Sequence, residues 1–340
     1  MSDPSPNPPP PPAATPAPPS TKGTPFTPTP TEQTFTNYTH EQGTRYAQSR
    51  SDYHPTLYNT ILTHHTTTGG QLDTLLDIGC GPGTAARALA PHFTHTIGLD
   101  PSAGMISNAR VLGGVSGGVS GGEPIRFEIS SAEELGWHLD PAVEEGSVDL
   151  ITAATAAHWF DMRRFWERAG RVLRRGGTVA LWTSGPTRVH PDVPNGVAIQ
   201  QALEGREEEL KEYFKDGTWV SRGLYVDLPM PWGEGEGEGG VFDEGSLFRK
   251  EWGVGEEEEF FGRGPMTVDM DAMEKVLGTM SPIQRWREAH PDVEAGSERD
   301  IARLFRRDVE RLLHEAGVEK GKEVVRVGIK GVLLMVKKRG

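Results

Sequence analysis

The chain has 340 residues and a formal net charge of -13 at pH 7, which argues against nucleic acid or an anionic membrane as its main partner. No apolar run approaches the roughly 20 residues that a membrane-spanning helix needs. Cys80 is the single cysteine and cannot form an internal disulfide, which fits a reducing compartment. We therefore expect a cytoplasmic protein with no nucleic-acid and no membrane partner; a nuclear location and the oligomeric state stay open.

The N-terminal residues divide into a tail and a first ordered segment. Residues 1–34 are dominated by Pro, Thr and Ser and have almost nothing apolar to bury, which predicts a disordered tail. Aromatic and polar residues follow from Phe35 until Pro55, where we expect a helix to begin. Three side chains of this segment can either fold over a bound ligand or pack a helix onto a sheet: Tyr46, Arg50 and Tyr53.

A short apolar strand, Thr74 to Ile78, is followed by Gly79, Gly81 and Gly83 and then by an alanine-rich helix. Closely spaced glycines let the backbone turn tightly and lie near a ligand. They occupy every second position here, whereas a dinucleotide-binding loop reads G-x-G-x-x-G, which speaks against a nicotinamide dehydrogenase. The turn therefore predicts the binding of an adenosine-containing cofactor.

A second buried strand, Thr94 to Leu99, ends at Asp100. A carboxylate at the tip of this strand can accept hydrogen bonds from both hydroxyls of a ribose. The alternative is a solvated aspartate of a turn. In the helix that follows, Met105 lies one turn on and can cover an adenine ring.

Three further strands are predicted at Pro124–Ile129, Ser147–Ala153 and Thr178–Trp182. The glycine-rich repeat before the first of these has no core-forming residues and indicates a flexible surface insertion. Asp161 is expected to cap a helix between the last two strands. Strands that alternate with helices in this way favour a doubly wound parallel sheet with right-handed crossovers.

Candidate ligand-binding residues follow the third and fourth strands. Ala132 is placed to give its backbone N–H to the adenine ring, while Ser131 or Glu133 holds the turn. The fourth strand continues as ATAAHWFD, in which small residues such as Ala153 leave room for a ligand. His158 lies just beyond that strand, at the mouth of the predicted site.

Beyond residue 183 the regular alternation ends. Residues 184–322 are predicted to form a helical and loop region that binds the acceptor, with a solvated acidic loop at 232–261 and a late helix that begins at Ser297. The glutamates of that loop lack a turn-and-ligand pattern, so no metal site is predicted. Residues 323–340 are β-branched and apolar, and we expect them to complete the sheet as an antiparallel strand at or next to its edge.

Five stretches between about Tyr46 and Trp182 together resemble the class I S-adenosylmethionine (SAM)-dependent methyltransferases: LLDIGCGPG, IGLDPS, SSAEEL, VDLITAATAAHWFD and RVLRRGGTVALW. The HWFD stretch and the long C-terminal half look similar to the fungal trans-aconitate methyltransferase group, which methylates small-molecule carboxylates. The resemblance implies an α/β fold with a Rossmann-like, doubly wound, seven-stranded sheet. That sheet would be mostly parallel with an antiparallel last strand, with residues 35–183 as the SAM-binding core and a helical C-terminal cap.

The resemblance also implies roles for residues around the cofactor. Asp77 and the three glycines line the amino-acid end of SAM, Asp100 binds the ribose, and Ala132 with Glu133 lies beside the adenine. Many family members carry Asp where this chain has Ser131, so the adenine contact would be weaker here. The predicted cofactor-binding residues are Tyr46, Asp77, Gly79, Gly81, Gly83, Asp100, Met105, Ser131, Ala132, Glu133 and Ala153.

The implied reaction is methyl transfer to a small-molecule acceptor, with a carboxylate such as trans-aconitate as the favoured case. A carboxylate is already an anion and needs no base, so catalysis can rest on alignment and the exclusion of water. With a phenol or amine as acceptor His158 would act as base; it would orient a carboxylate, or it is a structural residue packed beside Trp159. A SAM-binding regulator without chemistry is the alternative from another class. The predicted acceptor-binding residues are Arg50, Tyr53, His158, Trp159 and Arg163, with Arg222 as a further arginine that could grip a carboxylate.

Overall fold

A computed structural model describes residues 52–117, 122–232, 240–255, 259–262 and 264–340. The predicted tail at 1–34, together with Tyr46 and Arg50, lies outside the described residues. The strands in the described part are β1 (Thr74–Ile78), β2 (His95–Asp100), β3 (Arg126–Ile129), β4 (Val148–Ala154), β5 (Leu173–Val189), β6 (Phe242–Trp252), β7 (Met266–Asp269) and β8 (Val324–Lys338). They form one sheet of order β3-β2-β1-β4-β5-β8-β6, in which β7 pairs with a separate part of β8.

The first five strands run parallel, as the alternation of strands and helices predicted. Leu76 at the centre of β1 lies opposite Ile97 of β2 and Ile151 of β4. All five residues of β1 are buried, because helices cover both faces of a doubly wound sheet.

The last strand is antiparallel, as predicted. β8 pairs on one side with β5, where Leu181 lies opposite Leu334, and on the other side with the edge strand β6. The short β7 pairs with the beginning of β8, where Val268 lies opposite Val325. The row therefore contains seven strands, the number predicted, although β6 is not among the strands placed from the sequence, and β7 is an addition to it.

The prediction of a loop over 232–261 was wrong for β6 (Phe242–Trp252). Phe242 and Trp252 are buried at its two ends, and from Ser246 onward exposed and half-buried residues alternate. This pattern is typical of an edge strand with one face in solvent. The strand was missed because its charged residues continue the acidic composition of the neighbouring runs.

Nine α-helices lie in the described part of the chain: α1 (Pro55–Thr67), α2 (Thr84–Leu89), α3 (Ala103–Leu112), α4 (Met162–Val172), α5 (Gly196–Glu209), α6 (Asp216–Arg222), α7 (Met270–Gly278), α8 (Ser281–Ala289) and α9 (Ile301–Glu315). Short 3-10 turns follow β4 and α5, at Ala157–Trp159 and Lys211–Tyr213. None of the helices in the described part is long and apolar enough to cross a membrane.

Helix α4 ends where strand pairing begins, and helix α9 begins at an aspartate cap. The Asp161 side chain caps α4 as predicted, but the helix ends at Val172, because Leu173 already pairs with Val148 as the start of β5. The late helix α9 begins after Asp300 and not at Ser297. The buried Asp300 side chain accepts the backbone N–H of Ala302 at 3.1 Å and therefore acts as the cap.

The core lies on both faces of the parallel strands. Leu75 of β1 packs in an apolar cluster with residues of α1, whereas its neighbour Leu76 packs in another cluster with Phe165 of α4. Successive side chains of a strand point to opposite faces, so α1 and α4 cover the two sides of the sheet. This arrangement leaves the carboxyl ends of the strands as the edge at which loops can build a site.

Candidate functional site at the carboxyl ends of the strands

The glycine loop joins the tip of β1 to α2. Gly79 has a φ of +61°, and a Cβ built on it would lie 2.6 Å from the Cβ of Ala156, so the loop packs directly against the chain after β4. Gly81 also has a positive φ, +54°, but a Cβ there would have nothing within 4 Å. The backbone therefore presents open space at Gly81 and close packing at Gly79.

Asp77 lies at the end of β1 and is fully buried. Its Oδ1 accepts a hydrogen bond from the Thr152 hydroxyl at 2.6 Å, whereas its Oδ2 is buried without a hydrogen-bond partner among the described residues. Burial raises the pKa of the carboxyl to about 7, and the Thr152 hydroxyl and the backbone N–H of Ala86 act in the opposite direction. An unpaired acceptor at this depth is costly, which suits a ligand that brings a cationic or N–H donor.

Asp100 at the tip of β2 ties the glycine loop to the next helix. Its Oδ2 accepts the backbone N–H of Gly81 at 2.9 Å, and its Oδ1 accepts that of Ser102 at 2.8 Å. Burial raises the pKa of this carboxyl to about 6, although the same two N–H groups favour its charged form. Each oxygen of a carboxylate has further acceptor capacity, so both could also receive the hydroxyls of a ribose.

The predicted adenine-binding residues lie after β2 and β3. Met105 in the first turn of α3 and Ala132 after β3 are both buried, and Ser131 is half-buried. Glu133 has a structural contact that the sequence did not indicate, because its Oε1 accepts the backbone N–H of Asp161 at 2.9 Å. Glu133 therefore anchors the residue that caps α4, and its contact with adenine stays a prediction.

The chain leaves β4 through a strained residue. Ala153 is buried within the strand, and Thr155 just beyond it has a φ of +52°, which disfavours a β-branched side chain. The hydroxyl of Tyr53 lies 2.9 Å from Oγ1 of Thr155, and the Tyr53 ring stacks on Phe261 with centroids 5.4 Å apart. The predicted acceptor residue Tyr53 thus reaches the tip of β4, and residues held in sparsely populated backbone regions are often functional.

His158 lies in the 3-10 turn after β4, next to Tyr225. Its Nδ1 is 3.1 Å from the Tyr225 hydroxyl, and its ring lies 4.7 Å from the Trp159 ring between centroids. Helix α6 packs on this turn so closely that a Cβ on Gly217 would lie 2.6 Å from the His158 carbonyl oxygen. Sequence reasoning missed Tyr225, because no spacing links it to a histidine 67 positions earlier.

The arginines proposed to grip a carboxylate have different surroundings. Arg163 is exposed near the start of α4. The Arg222 guanidinium donates to Glu207 and lies over the Phe214 ring, 5.0 Å from its centroid. The charge of Arg222 is therefore already paired in this structure. Within the described ranges, no group of three or more His, Cys, Asp or Glu residues could hold a metal ion.

Residues 76–181 match a family model described as "Methyltransferase domain". A Dictyostelium discoideum protein provisionally named a methyltransferase is 30% identical over 200 residues, which cover 59% of this chain and 66% of that protein. The Saccharomyces cerevisiae protein CRG1, named as a probable S-adenosylmethionine-dependent methyltransferase, is 32% identical over 147 residues, 42% of this chain and 45% of CRG1.

A solved structure from Anaeromyxobacter dehalogenans, provisionally described as a type II methyltransferase, has a TM-score of 0.53 and 23% sequence identity. The similarity covers 85% of this chain and 97% of the other, and it shows that the two share a fold. The sheet order and the domain match together define a class I SAM-dependent methyltransferase domain. That domain is centred on residues 76–181, and the chain spans less than two thirds of the length of these two curated relatives.

Proposed function

We propose that this protein transfers the methyl group of SAM to an oxygen atom of a small-molecule acceptor, and that the acceptor is a carboxylate such as trans-aconitate. The observation that carries the cofactor part of the proposal is the pair of buried carboxylates, Asp77 and Asp100, at neighbouring strand tips joined by the glycine loop. The fully buried Oδ2 of Asp77 lacks a partner among the described residues, and Gly81 faces open space. These features fit a cofactor with a cationic amino-acid end and a ribose.

Asp77 and the loop residues Gly79 and Gly81 would hold the amino-acid end of SAM, and Asp100 would hold the ribose. The buried side chains of Met105 and Ala132 would contact the adenine. When bound, SAM supplies an electrophilic methyl group on a positively charged sulfur. The new C–O bond forms as the C–S bond breaks, the sulfur keeps the electron pair, and the products are a methyl ester and S-adenosylhomocysteine.

This chain's own contribution would be alignment and the exclusion of water. The Tyr53 hydroxyl contacts Thr155 just beyond β4, and His158 lies in the turn that follows, where it contacts the Tyr225 hydroxyl. Helix α6 packs over the His158 turn and would exclude solvent from the acceptor. Holding two reacting groups in line can supply about 7 to 11 kcal/mol of the barrier in well-oriented systems.

The experiment has two parts, cofactor binding and turnover. Calorimetry with SAM and S-adenosylhomocysteine measures binding, and methyl-labelled SAM with trans-aconitate, related di- and tricarboxylates, phenols and amines measures transfer. We expect binding, and labelled methyl ester from a carboxylate. SAM binding without transfer to any acceptor would support the non-catalytic regulator, and transfer to a phenol or amine would support His158 as base.

A matched pair of variants tests the site. Asp100→Asn keeps the shape of the side chain but removes its charge, and we expect it to weaken SAM binding at least tenfold, about 1.4 kcal/mol. Asp243→Asn makes the same change at an exposed residue of β6 and should bind SAM like the unmodified protein. Equal affinity for the two variants would contradict the assignment of Asp100.

A further inference from the structure

Helix α4 begins with only half of a reciprocal cap. In the full arrangement, the N-cap side chain accepts the N–H three residues later, and the side chain at that later position accepts the N–H of the N-cap. The first contact is present, because Oδ1 of Asp161 accepts the N–H of Arg164 at 3.1 Å. The second is impossible, because an arginine side chain carries no acceptor atom. The N–H of Asp161 is therefore left for an acceptor from elsewhere in the chain.

Glu133 supplies this acceptor from the loop after β3. Its Oε1 accepts the N–H of Asp161 at 2.9 Å, across 28 positions of sequence and in partly buried surroundings. A hydrogen bond to a charged acceptor is stronger than one between neutral groups. The start of α4 is thus fixed by a side chain that belongs to another element of the fold.

The loop that carries Glu133 is itself held in place. We call residues 130–136 the β3 loop. The N–H of Ser130 donates to the Asp100 carbonyl at 3.2 Å, and the N–H of Gly136 donates to Oγ of Ser130 at 3.0 Å. The β3 loop therefore gives Glu133 a fixed base beside the tip of β2, where we place the ribose of the cofactor.

The segment between β4 and α4 carries His158. We call residues 156–161 the β4 turn. Where the turn begins, Ala156 lies against the glycine loop, with its Cβ 2.6 Å from the position of a Cβ on Gly79. Where the turn ends, the N–H of Asp161 is held by the β3 loop. His158 lies between these two contacts, so a displacement of either end would move it.

The glycine loop keeps its shape through contacts of its own. The N–H of Cys80 donates to the Leu99 carbonyl at 3.0 Å, and the N–H of Gly81 donates to Oδ2 of Asp100 at 2.9 Å. Neither contact involves Glu133. Loss of the Glu133 side chain should therefore free one end of the β4 turn and leave the glycine loop, where we place the amino-acid end of SAM, unchanged.

We propose that Glu133 is a positioning residue whose carboxylate fixes the β4 turn against the β3 loop and so holds His158 where the acceptor reacts. This inference rests on the proposed function and deepens it, because it assigns Glu133 to the alignment of the acceptor and not to the binding of adenine. A misplacement of about 1 Å can lower a rate on the order of a hundredfold. The loss of this anchoring hydrogen bond should therefore be visible in turnover.

The first test compares side chains that keep or lose the acceptor oxygen. Glu133→Gln retains an amide oxygen for the position of Oε1, Glu133→Asp keeps the charge but withdraws the oxygen by one methylene group, and Glu133→Ala removes both. With methyl-labelled SAM and a carboxylate acceptor, we expect the alanine and aspartate variants to lose about tenfold in kcat. The glutamine variant should stay within about threefold of the unmodified protein. Calorimetry should show SAM affinities within about twofold of the unmodified value for all three.

Glu134→Ala is the matched control. Glu134 lies in the same loop, with its Oε2 3.6 Å from Nδ1 of His138, and its variant should match the unmodified protein in turnover and in SAM affinity. A loss of SAM affinity in Glu133→Ala that parallels its loss of turnover would make Glu133 a cofactor-binding residue and overturn the proposal. Turnover that is kept in Glu133→Asp and lost in Glu133→Gln, or kept in Glu133→Ala, would overturn it as well.

The second test needs no acceptor. Exchange of the Asp161 amide hydrogen is followed by NMR in the 15N-labelled protein, and its signal is assigned by the displacement of that signal in Asp161→Asn. We expect faster exchange in Glu133→Ala than in Glu133→Gln or the unmodified protein, and no change in Glu134→Ala. An exchange rate that is equal in all of these proteins would overturn the placement of Glu133.

The two tests fail independently of each other. If no acceptor is methylated, the proposed function fails, while the exchange rates still decide whether Glu133 holds the β4 turn. If methyl transfer is observed but Glu133→Ala keeps its full kcat, the proposed function stands and the positioning role of Glu133 does not.

Discussion

Alanine at Gly79 and alanine at Gly81 should damage the protein in different ways. Both glycines have positive φ, +61° and +54°, but only Gly79 is tightly packed, because a methyl group there would lie 2.6 Å from the Cβ of Ala156. A methyl group at Gly81 would enter open space on the side where we place the cofactor. Gly146, with a φ of +66° and nothing within 4 Å of its Cβ position, is the matched control outside the site.

The expected magnitudes follow from these contacts. A residue with a Cβ in the left-handed region costs about 1 to 2 kcal/mol, and the less flexible unfolded chain returns about 0.4 to 1 kcal/mol. Gly81→Ala and Gly146→Ala should therefore each lose about 1 kcal/mol of unfolding free energy. Gly79→Ala must also displace Ala156, and overpacking adds about 1 to 3 kcal/mol.

The assay combines denaturant unfolding with calorimetric titration of SAM. We expect Gly81→Ala to unfold like Gly146→Ala but to bind SAM at least tenfold more weakly, about 1.4 kcal/mol. Gly79→Ala should be the least stable of the three. If Gly81→Ala binds SAM as tightly as Gly146→Ala, the open space at Gly81 does not hold the cofactor.

Three further predictions concern the two ends of the sheet. Burial raises the pKa of Asp77 to about 7 and of Asp100 to about 6, above the ordinary 3.8. Between pH 3.8 and about 7 the folded protein therefore binds more protons than the unfolded chain. The stability that protonation of these two carboxyls contributes is fully present below pH 3.8 and is lost as pH rises toward about 7. If SAM requires both carboxylates charged, its affinity should rise over the same range, with proton release measured by calorimetry in two buffers; a pH-independent affinity would contradict this. Tyr53→Phe removes the hydroxyl bond to the tip of β4 and keeps the ring, so we expect a loss of about 0.5 to 1.5 kcal/mol in denaturant unfolding, and an unchanged free energy would show that the bond contributes nothing. Arg174 donates to the buried carboxylate of Asp149 at 3.2 Å, at the end of the sheet opposite the site. Arg174→Ala should lower the free energy of unfolding by about 1 to 3 kcal/mol, less than for a fully buried pair because the arginine is partly exposed. Its affinity for SAM should equal that of the unmodified protein. Weaker binding of SAM would contradict the separation of Arg174 from the site.

Local signals predicted the parallel half of the sheet. The run TLLDI is buried on both faces as β1, and Asp161 caps α4, because both features depend on residues within a few positions. β6 was missed, since its stability comes from pairing with β8 some 90 residues later and its own composition is that of a polar loop. Composition alone cannot reveal an edge strand of this kind.

The same distinction applies to the site. The glycine loop and Asp100 follow two neighbouring strands, and the Gly81 N–H donates to Asp100 at 2.9 Å, as neighbouring strand tips would suggest. Tyr225 reaches His158 from the region after α6, and Glu133 binds the N–H of Asp161, contacts that no spacing predicts. Cys80 is buried under the loop in an apolar cluster, where burial raises the pKa of its thiol, in keeping with a packing role.

The most direct test of the central claim is the identification of the product formed from methyl-labelled SAM and a panel of small carboxylates, phenols and amines. We expect a labelled methyl ester that base hydrolysis converts back to the carboxylic acid, and we expect this product to be lost in Asp100→Asn. Label on a nitrogen or a phenol oxygen would contradict the carboxylate assignment, and SAM binding without any labelled product would contradict the activity itself.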